Sequence, residues 1–134
     1  MNSSPGTTQA HPRDALSGRD AFQADHGGGE DCAFVMMAFR TTSTHDRVLP
    51  VIRDTCACFG IKALRADDYE YALSVWENIV TYMHGCRYGI AVFERLATED
   101  FNPNVSLEVG YMLALGKGVC FLKDAGLKSL HADL

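Results

Sequence analysis

The fold is decided by one stretch, FNPNVSLEVGYMLALGK at residues 101–117, which predicts a helix with a defined beginning and end. Pro103 suits the first helical position, and the asparagine on either side of it can cap the free amides there. Gly116 suits the left-handed turn that ends many helices, and Lys117 follows at the negative end of the helix dipole. Because nearly every side chain between these ends is apolar, on all faces, we expect the helix to be buried.

Glu108 is the only charged residue inside this helix. A carboxylate buried alone costs several kcal/mol, so it needs a partner or a chemical role. It lies about one turn from the helix start, where free amides and the positive end of the dipole favour anions. We therefore expect Glu108 to be a catalytic group facing a pocket. The alternative is a structural acid paired with Arg40, Arg65 or Arg95.

The rest of the folded region alternates apolar runs of strand length with amphipathic helical patterns. The clearest helix start is Ser74 followed by Glu77, which fits a capping box. Four strands separated by three helices predict a parallel sheet with right-handed crossovers, covered on both faces, and a fifth strand would complete a common arrangement. The predicted strands are residues 32–39, 61–64, 88–93 and 119–122, and the other predicted helices are residues 45–59 and 74–85.

The N-terminal region differs in composition from this core. Residues 1 to about 30 carry three successive glycines, scattered Ser, Thr and Pro, and few large apolar groups, which is typical of a disordered tail. We expect residues 31–134 to form one α/β domain. Because a further strand would be expected after the fourth, this domain is a candidate for truncation at the C-terminus. The domain is also expected to be fused to other domains or to assemble with copies of itself.

The composition and net charge of the chain exclude several classes of function. The net charge of −5 gives no basic surface for a phosphate backbone, so nucleic-acid binding is not expected. No apolar stretch is long enough to cross a membrane and no signal-peptide core is present, which favours a cytoplasmic protein without membrane contact. The five cysteines fall mostly in apolar runs and predict buried, reduced thiols. No zinc pattern is present, and neither a metal nor a cofactor is expected.

The loops at the carboxyl ends of the strands collect carboxylates, amides, hydroxyls, arginines and one large aromatic. Ligands of parallel sheets bind at this edge. No dinucleotide fingerprint, P-loop or serine elbow is present. The set suits a ribose with phosphates and a stacked base, and a glutamate beside a ribose can act at the anomeric carbon. Simple capping, loop solvation or core packing remain alternatives for several members. The candidate binding residues are Arg40, Thr41, Ser43, Asp67, Asp68, Trp76, Glu94, Asn102, Asn104 and Ser106.

Three segments together resemble a known family: FVMMAF at residues 34–39, RADD at residues 65–68, and NPNVSLEVGY at residues 102–111 with the following Gly116 and Lys117. The combination resembles the bacterial TIR-like predicted nucleotide-binding domains. It is also similar to the nucleoside deoxyribosyltransferases, which share a flavodoxin-like layout. The resemblance extends over about residues 32–134 and implies a flavodoxin-like or TIR-like three-layer fold.

The resemblance implies a nucleotide ligand, with NAD as a possible substrate, and cleavage of the bond between ribose and base. By position, Glu108 would be the catalytic glutamate, Asn102 and Asn104 would line the ribose pocket, and residues 40–43 would meet phosphate or base. It also implies self-assembly and a role in bacterial defence or signalling. Two other hypotheses stay open from the residues: a nucleotide-sensing module without chemistry, and a TIR-type interaction domain.

Overall fold

The computed structural model describes residues 12–38, 43–94 and 103–124. Four helices and four strands alternate along these residues. The helices are α1 (Pro12–His26), α2 (Ser43–Cys58), α3 (Val75–Gly85) and α4 (Pro103–Ala114), and the strands are β1 (Cys32–Met36), β2 (Lys62–Leu64), β3 (Tyr88–Phe93) and β4 (Gly118–Lys123). Within these residues, no helix is both long and apolar enough to pass through a bilayer.

The four strands form one parallel sheet in the order β2-β1-β3-β4. This order places β1 and β3 in the centre, where a strand must be apolar on both faces. Strand β1 meets that condition with the sequence CAFVM, all five residues of which are buried. The predicted α/β class and four-stranded parallel sheet are therefore confirmed, and the strand order is that of flavodoxin-like sheets.

Side chains alternate between the two faces of the sheet and feed two separate cores. The larger core lies between the sheet and the helices α1, α3 and α4, and it includes Phe34, Tyr82 and Met112. The smaller core lies between the sheet and α2, where Val35 packs with Ile52. Because parallel strands are joined by right-handed crossovers, the chain places α2 on one face and α3 and α4 on the other. The carboxyl edge of the sheet is thus flanked by helices from both layers.

Helix α1 corrects the prediction that residues 1 to about 30 are disordered, which is wrong for the residues of this helix. Phe22 is only 2% exposed and packs edge-on against Tyr71 and Tyr82, with ring centroids 5.3 and 5.4 Å apart. Gly85 makes room for it, since a Cβ at that position would lie 2.3 Å from the Phe22 ring. One buried aromatic thus anchors a helix whose other side chains are mostly polar, and the composition of the segment hides this.

Helix α4 begins at Pro103 as predicted, and Gly116 takes the expected left-handed conformation with φ of +74°. The prediction that the helix is buried on all faces is wrong. Val105, Val109 and Met112 are buried, but exposed leucines cover the outer face. The physical reason is that the sheet covers one side of the helix only, and in the part of the chain described here nothing packs on the other side.

Two other sequence predictions meet different outcomes. The cap at Ser74 is confirmed, because Ser74 Oγ accepts a hydrogen bond of 3.0 Å from the Glu77 amide at the start of α3. The prediction of buried thiols is wrong for Cys58 and Cys120, which are exposed, although all five cysteines are free. Cys58 is the last residue of α2 and Cys120 lies on the edge strand β4, so both end at the margin of the core.

Candidate functional site

The candidate site lies at the carboxyl edge of the sheet, where the loops after the strands meet the N-terminal turns of the helices. Strand β2 leads into Arg65, Asp67 and Asp68, β3 leads into Glu94, and α4 carries Glu108. Arg65, Glu94 and Glu108 are all buried. Buried charged groups are rare unless they are paired or functional. Three of them at one edge of the sheet therefore make this edge the candidate site.

Glu108 has the environment expected of a reactive carboxyl. It is 6% exposed and makes no hydrogen bond or ion pair with another residue that the structure describes. Burial raises the pKa of Glu108 to about 7, and the nearby charge of Arg65 acts in the opposite direction. A carboxyl with a pKa near neutrality can hold or release a proton under ordinary conditions, which suits acid–base or nucleophilic chemistry.

Arg65 is a second buried charge, 2% exposed, and it ties several elements together. Its Nη2 donates to the Ala38 carbonyl just after β1 at 3.3 Å, and its Nε lies 3.4 Å from Asp67 Oδ1. Its Nη1 also contacts His45 Nε2 in the first turns of α2. Of the three arginines in the alternative of a paired structural acid, Arg65 acts on Glu108 through its charge. The other two, Arg40 and Arg95, lie outside the described residues.

The two aspartates after β2 have different surroundings. Asp68 Oδ2 accepts the Arg65 amide at 2.8 Å and Asp68 Oδ1 accepts Arg53 Nη2 at 2.7 Å, so both oxygens hold the loop in place. Asp67 has an exposed side chain next to the Arg65 guanidinium. Of the two predicted ligands, Asp67 is therefore the one whose carboxylate faces solvent at the site.

Trp76 lies on the first turn of α3 and is 44% exposed, so it is not a core residue. It meets Tyr111 of α4 edge-on, with ring centroids 6.0 Å apart, and the Tyr111 hydroxyl lies 2.8 Å from His84 Nε2. Tyr111 is three residues after Glu108, on the same side of α4. The exposed indole thus packs against α4 through Tyr111, about one turn beyond Glu108.

Asn104 and Ser106 separate around α4. Asn104 is exposed and precedes Glu108 by four residues, which places it one turn away on the same side. Ser106 precedes Glu108 by two residues, about 200° around the helix axis. Its Oγ is buried and has no hydrogen-bond partner among the described residues. The structure thus brings Asn104 to the side of Glu108 and turns Ser106 to a different side of the helix.

Of the remaining predicted site residues, only some lie within the described part of the chain. Glu94 is buried directly after β3, at the predicted edge. Arg40, Thr41 and Asn102 lie outside the described residues. Ser43 is the first residue of α2, and its side chain also lies outside them.

Sequence reasoning missed Asn78, a buried residue on α3 that organises the loop after β2. Its Oδ1 accepts the Tyr71 amide at 2.7 Å, and its Nδ2 donates to the carbonyls of Ala66 at 2.7 Å and Tyr69 at 3.2 Å. The signal that could have found it is its place next to the apolar stripe of an amphipathic helix, where a polar group needs partners. Asn78 and Ser74 also line a cavity of about 320 Å³ beside Asp67.

Across residues 12–38, 43–94 and 103–124, no cluster of three His, Cys, Asp or Glu side chains could hold a metal ion.

Comparison with known proteins supports the fold. No family model matches the chain, and no curated protein sequence matches it. Among solved structures, the chain is similar to the 2-desoxiribosyltransferase from Leishmania mexicana, with a TM-score of 0.57 and 16% sequence identity. The match covers 78% of this chain and 81% of that one. At this identity the likeness establishes a shared flavodoxin-like α/β fold.

Proposed function

We propose that this chain cleaves the N-glycosidic bond of a nucleoside or nucleotide, with Glu108 as the reacting carboxylate. The observation that carries the proposal is the burial of Glu108, without a hydrogen bond or ion pair to another described residue, at the edge where parallel sheets bind ligands. A desolvated carboxylate is a stronger nucleophile than a hydrated one. The similarity in fold to a deoxyribosyltransferase adds support by analogy only.

The reaction has two steps. A Glu108 oxygen attacks the anomeric carbon, the bond from that carbon to the base nitrogen breaks, and the electron pair leaves with the base. Water then displaces the carboxylate from the sugar, or a second base does so in a transfer reaction. Retaining glycosidases use carboxylates in the same way. Because the carboxylate form reacts, ionisation of Glu108 controls the first step.

Neighbouring side chains supply binding. The exposed face of Trp76 offers a surface for the base, as aromatic rings do in many nucleotide sites. Asn104 and Asp67 can hydrogen-bond the sugar hydroxyls from opposite walls. Arg40, Thr41 and Asn102 remain proposed ligands from the segments between β1 and α2 and between β3 and α4. Ser43, Asp68, Glu94 and Ser106 remain proposed members of the site.

NAD is the first substrate to test within this class. Its nicotinamide is a cationic leaving group that departs without a proton, so the site needs no strong general acid. The resemblance to TIR-like nucleotide-binding domains points the same way, and it adds self-assembly and a defence or signalling role to the proposal.

The test follows base release by chromatography after incubation with NAD, and in parallel with purine and pyrimidine nucleosides and deoxynucleosides. We expect release from at least one substrate by the unmodified chain and a loss of at least 10³-fold in Glu108→Gln. Glu30→Gln is the matched control, because it makes the same change at an exposed position at the opposite edge of the sheet.

Equal turnover by Glu108→Gln would overturn the assignment of this residue. Ligand binding measured by calorimetry without any base release would instead identify the nucleotide-sensing alternative.

A further inference from the structure

Two thiols meet in the core at the edge of the sheet opposite the candidate site. Cys32 is the first residue of β1, and Cys86 directly follows α3. Both are fully buried and belong to the same core cluster. Each thiol influences the pKa of the other. The Cys32 thiol also donates to Asp31 Oδ1 at 3.6 Å. The proposed function uses neither of them.

The backbone brings these two cysteines within bonding reach. Ala33 of β1 lies opposite Tyr88 of β3, so Cys32 lies beside Arg87 and one residue from Cys86. Adjacent strands run about 4.8 Å apart, and disulfides join Cα atoms about 4.4–6.8 Å apart. One carbonyl, that of Gly29, accepts both the Cys32 amide at 3.1 Å and the Arg87 amide at 3.0 Å. The two segments are therefore tied at a single point.

The two thiols have different acidities. Interaction with Cys86 lowers the pKa of Cys32, and the charge of Lys62 acts in the same direction, whereas burial and Asp31 oppose the change. Interaction with Cys32 and burial raise the pKa of Cys86. Of the two thiols, Cys32 is the one whose pKa is lowered, which favours it as the attacking thiolate. An attacking thiolate next to a resolving thiol is the arrangement of redox-active cysteine pairs.

We propose that Cys32 and Cys86 form an oxidation site, in which hydrogen peroxide converts the two thiols into one intramolecular disulfide. The Cys32 thiolate attacks a peroxide oxygen, the O–O bond breaks, and hydroxide leaves and takes up a proton as water. The Cys86 sulfur then attacks the Cys32 sulfur, the S–O bond breaks, and the second water departs with the Cys86 proton. Two thiols and one peroxide give one disulfide and two waters, and an added dithiol reverses the change.

Peroxide is the oxidant that fits this location. It is uncharged and little larger than water, so it can reach a buried sulfur during brief openings of the fold. The resulting bond would join the beginning of β1 to the end of α3 and enclose α2, β2 and α3. A crosslink closing so long a loop stabilises the folded state.

The test oxidises the full chain with hydrogen peroxide, alkylates the remaining thiols under denaturing conditions, and maps the peptides by mass spectrometry without reduction. We expect a crosslinked peptide pair containing Cys32 and Cys86, which dithiothreitol separates. We also expect the thermal midpoint of the oxidised protein to rise by roughly 5–15 °C above that of the reduced protein.

Two variants sharpen the result. Cys58→Ser removes an exposed thiol and should leave the crosslink unchanged. Cys86→Ser should abolish it and leave Cys32 with two added oxygens. If Cys86→Ser does not fold, the wild-type peptide map decides. Recovery of Cys32 and Cys86 as alkylated thiols at a peroxide dose that oxidises Cys58, or crosslinks to other cysteines, would overturn the proposal whatever the fate of the proposed function.

Discussion

Glu108 and Arg65 illustrate how burial sets the chemistry of single residues. The carboxyl of Glu108 is raised to a pKa of about 7 because it is removed from water, while the guanidinium of Arg65 limits that rise. Glu108 is therefore divided between its two protonation states at neutral pH. That balance suits reaction, and it also makes the ionised form a source of instability in the fold.

The first prediction concerns the stability of Glu108→Gln. The pKa of Glu108 lies above its ordinary value of 4.5, so between pH 4.5 and about 7 the folded state holds a proton that the unfolded state releases. Stability from this group is full below pH 4.5 and is lost as pH rises through about 7. Glutamine does not titrate, so the variant should gain up to about 3 kcal/mol over wild type between pH 4.5 and pH 8.

Urea unfolding of both proteins across that pH range measures the difference. Glu30→Gln, at an exposed position, should track wild type throughout. A Glu108→Gln variant that is less stable than wild type at pH 8 would mean that the carboxylate is a structural ion after all.

The second prediction separates Arg65 from Glu108. Removing the guanidinium in Arg65→Gln takes away the charge that favours ionised Glu108, so the inflection of kcat/KM against pH should move up by about 1 unit. Arg65→Lys keeps the charge and should keep the inflection near the wild-type value. A profile that is identical in all three proteins would show that Arg65 only holds the loops together.

At the scale of single elements, the end of α3 depends on a residue from another part of the chain. Lys117 lies just after α4, and its Nζ donates to three backbone carbonyls, those of Met83, His84 and Cys86, at 2.5, 2.7 and 2.6 Å. The last carbonyls of a helix have no partner within the helix. One ammonium therefore satisfies the exit of α3 and ties it to α4.

The third prediction is that Lys117→Met lowers the free energy of unfolding by about 2–3 kcal/mol, because three buried acceptors lose a charged donor. Lys123→Met is the matched control, since Lys123 is exposed at the end of β4, and it should change stability by less than about 0.5 kcal/mol. Chemical denaturation followed by circular dichroism measures both. Equal effects of the two variants would rule out the capping role of Lys117.

At the scale of the whole molecule, α1 packs on the body through Phe22, which occupies space left by Gly85, and Asp25 of α1 also accepts a hydrogen bond of 2.7 Å from the Tyr71 hydroxyl. A Cβ on Gly85 would lie 2.3 Å from the Phe22 ring, whereas a Cβ on Gly110 of α4 meets nothing within 4 Å. The two glycines therefore differ in what they do for the fold, although both lie in helices.

The fourth prediction uses this pair. Gly85→Ala should destabilise the protein by about 1–3 kcal/mol and increase hydrogen exchange along α1, since Phe22 must leave its slot. Gly110→Ala should stabilise it by about 0.5–1 kcal/mol, because alanine is the better helix former. Hydrogen exchange with mass spectrometry and urea unfolding provide the measurements. Unchanged exchange in α1 after Gly85→Ala would contradict the anchoring role of Phe22.

Features that depend on residues close together in the sequence could be predicted, whereas features that depend on contacts between distant segments could not. Local signals were sufficient for the cap at Ser74 and the exit at Gly116, since these depend on neighbours within a turn. The burial of Glu108 also followed from its apolar helix. The packing of α1 and the contact of Arg65 with His45 join segments that are distant in sequence. No local sequence pattern predicts such contacts.

Two features of α4 could have been inferred from the sequence. The different directions of Asn104 and Ser106 relative to Glu108 follow from the helical period alone. The exposed outer face of α4 follows from the end of the predicted sheet at the next strand, which leaves only one side of that helix to cover. The apolar composition of a helix does not by itself say which of its faces the neighbouring sheet covers.

The bonds of Lys117 also affect how the protein can be followed in solution. An ammonium held by three carbonyls reacts with amine-directed labels only when the end of α3 opens, although burial lowers its pKa. The chain has one tryptophan, Trp76, and its indole is already partly in water in the folded state, so its fluorescence is a weak signal of unfolding. The labelling rate of Lys117 is therefore a more direct measure of the opening of this protein than its intrinsic fluorescence.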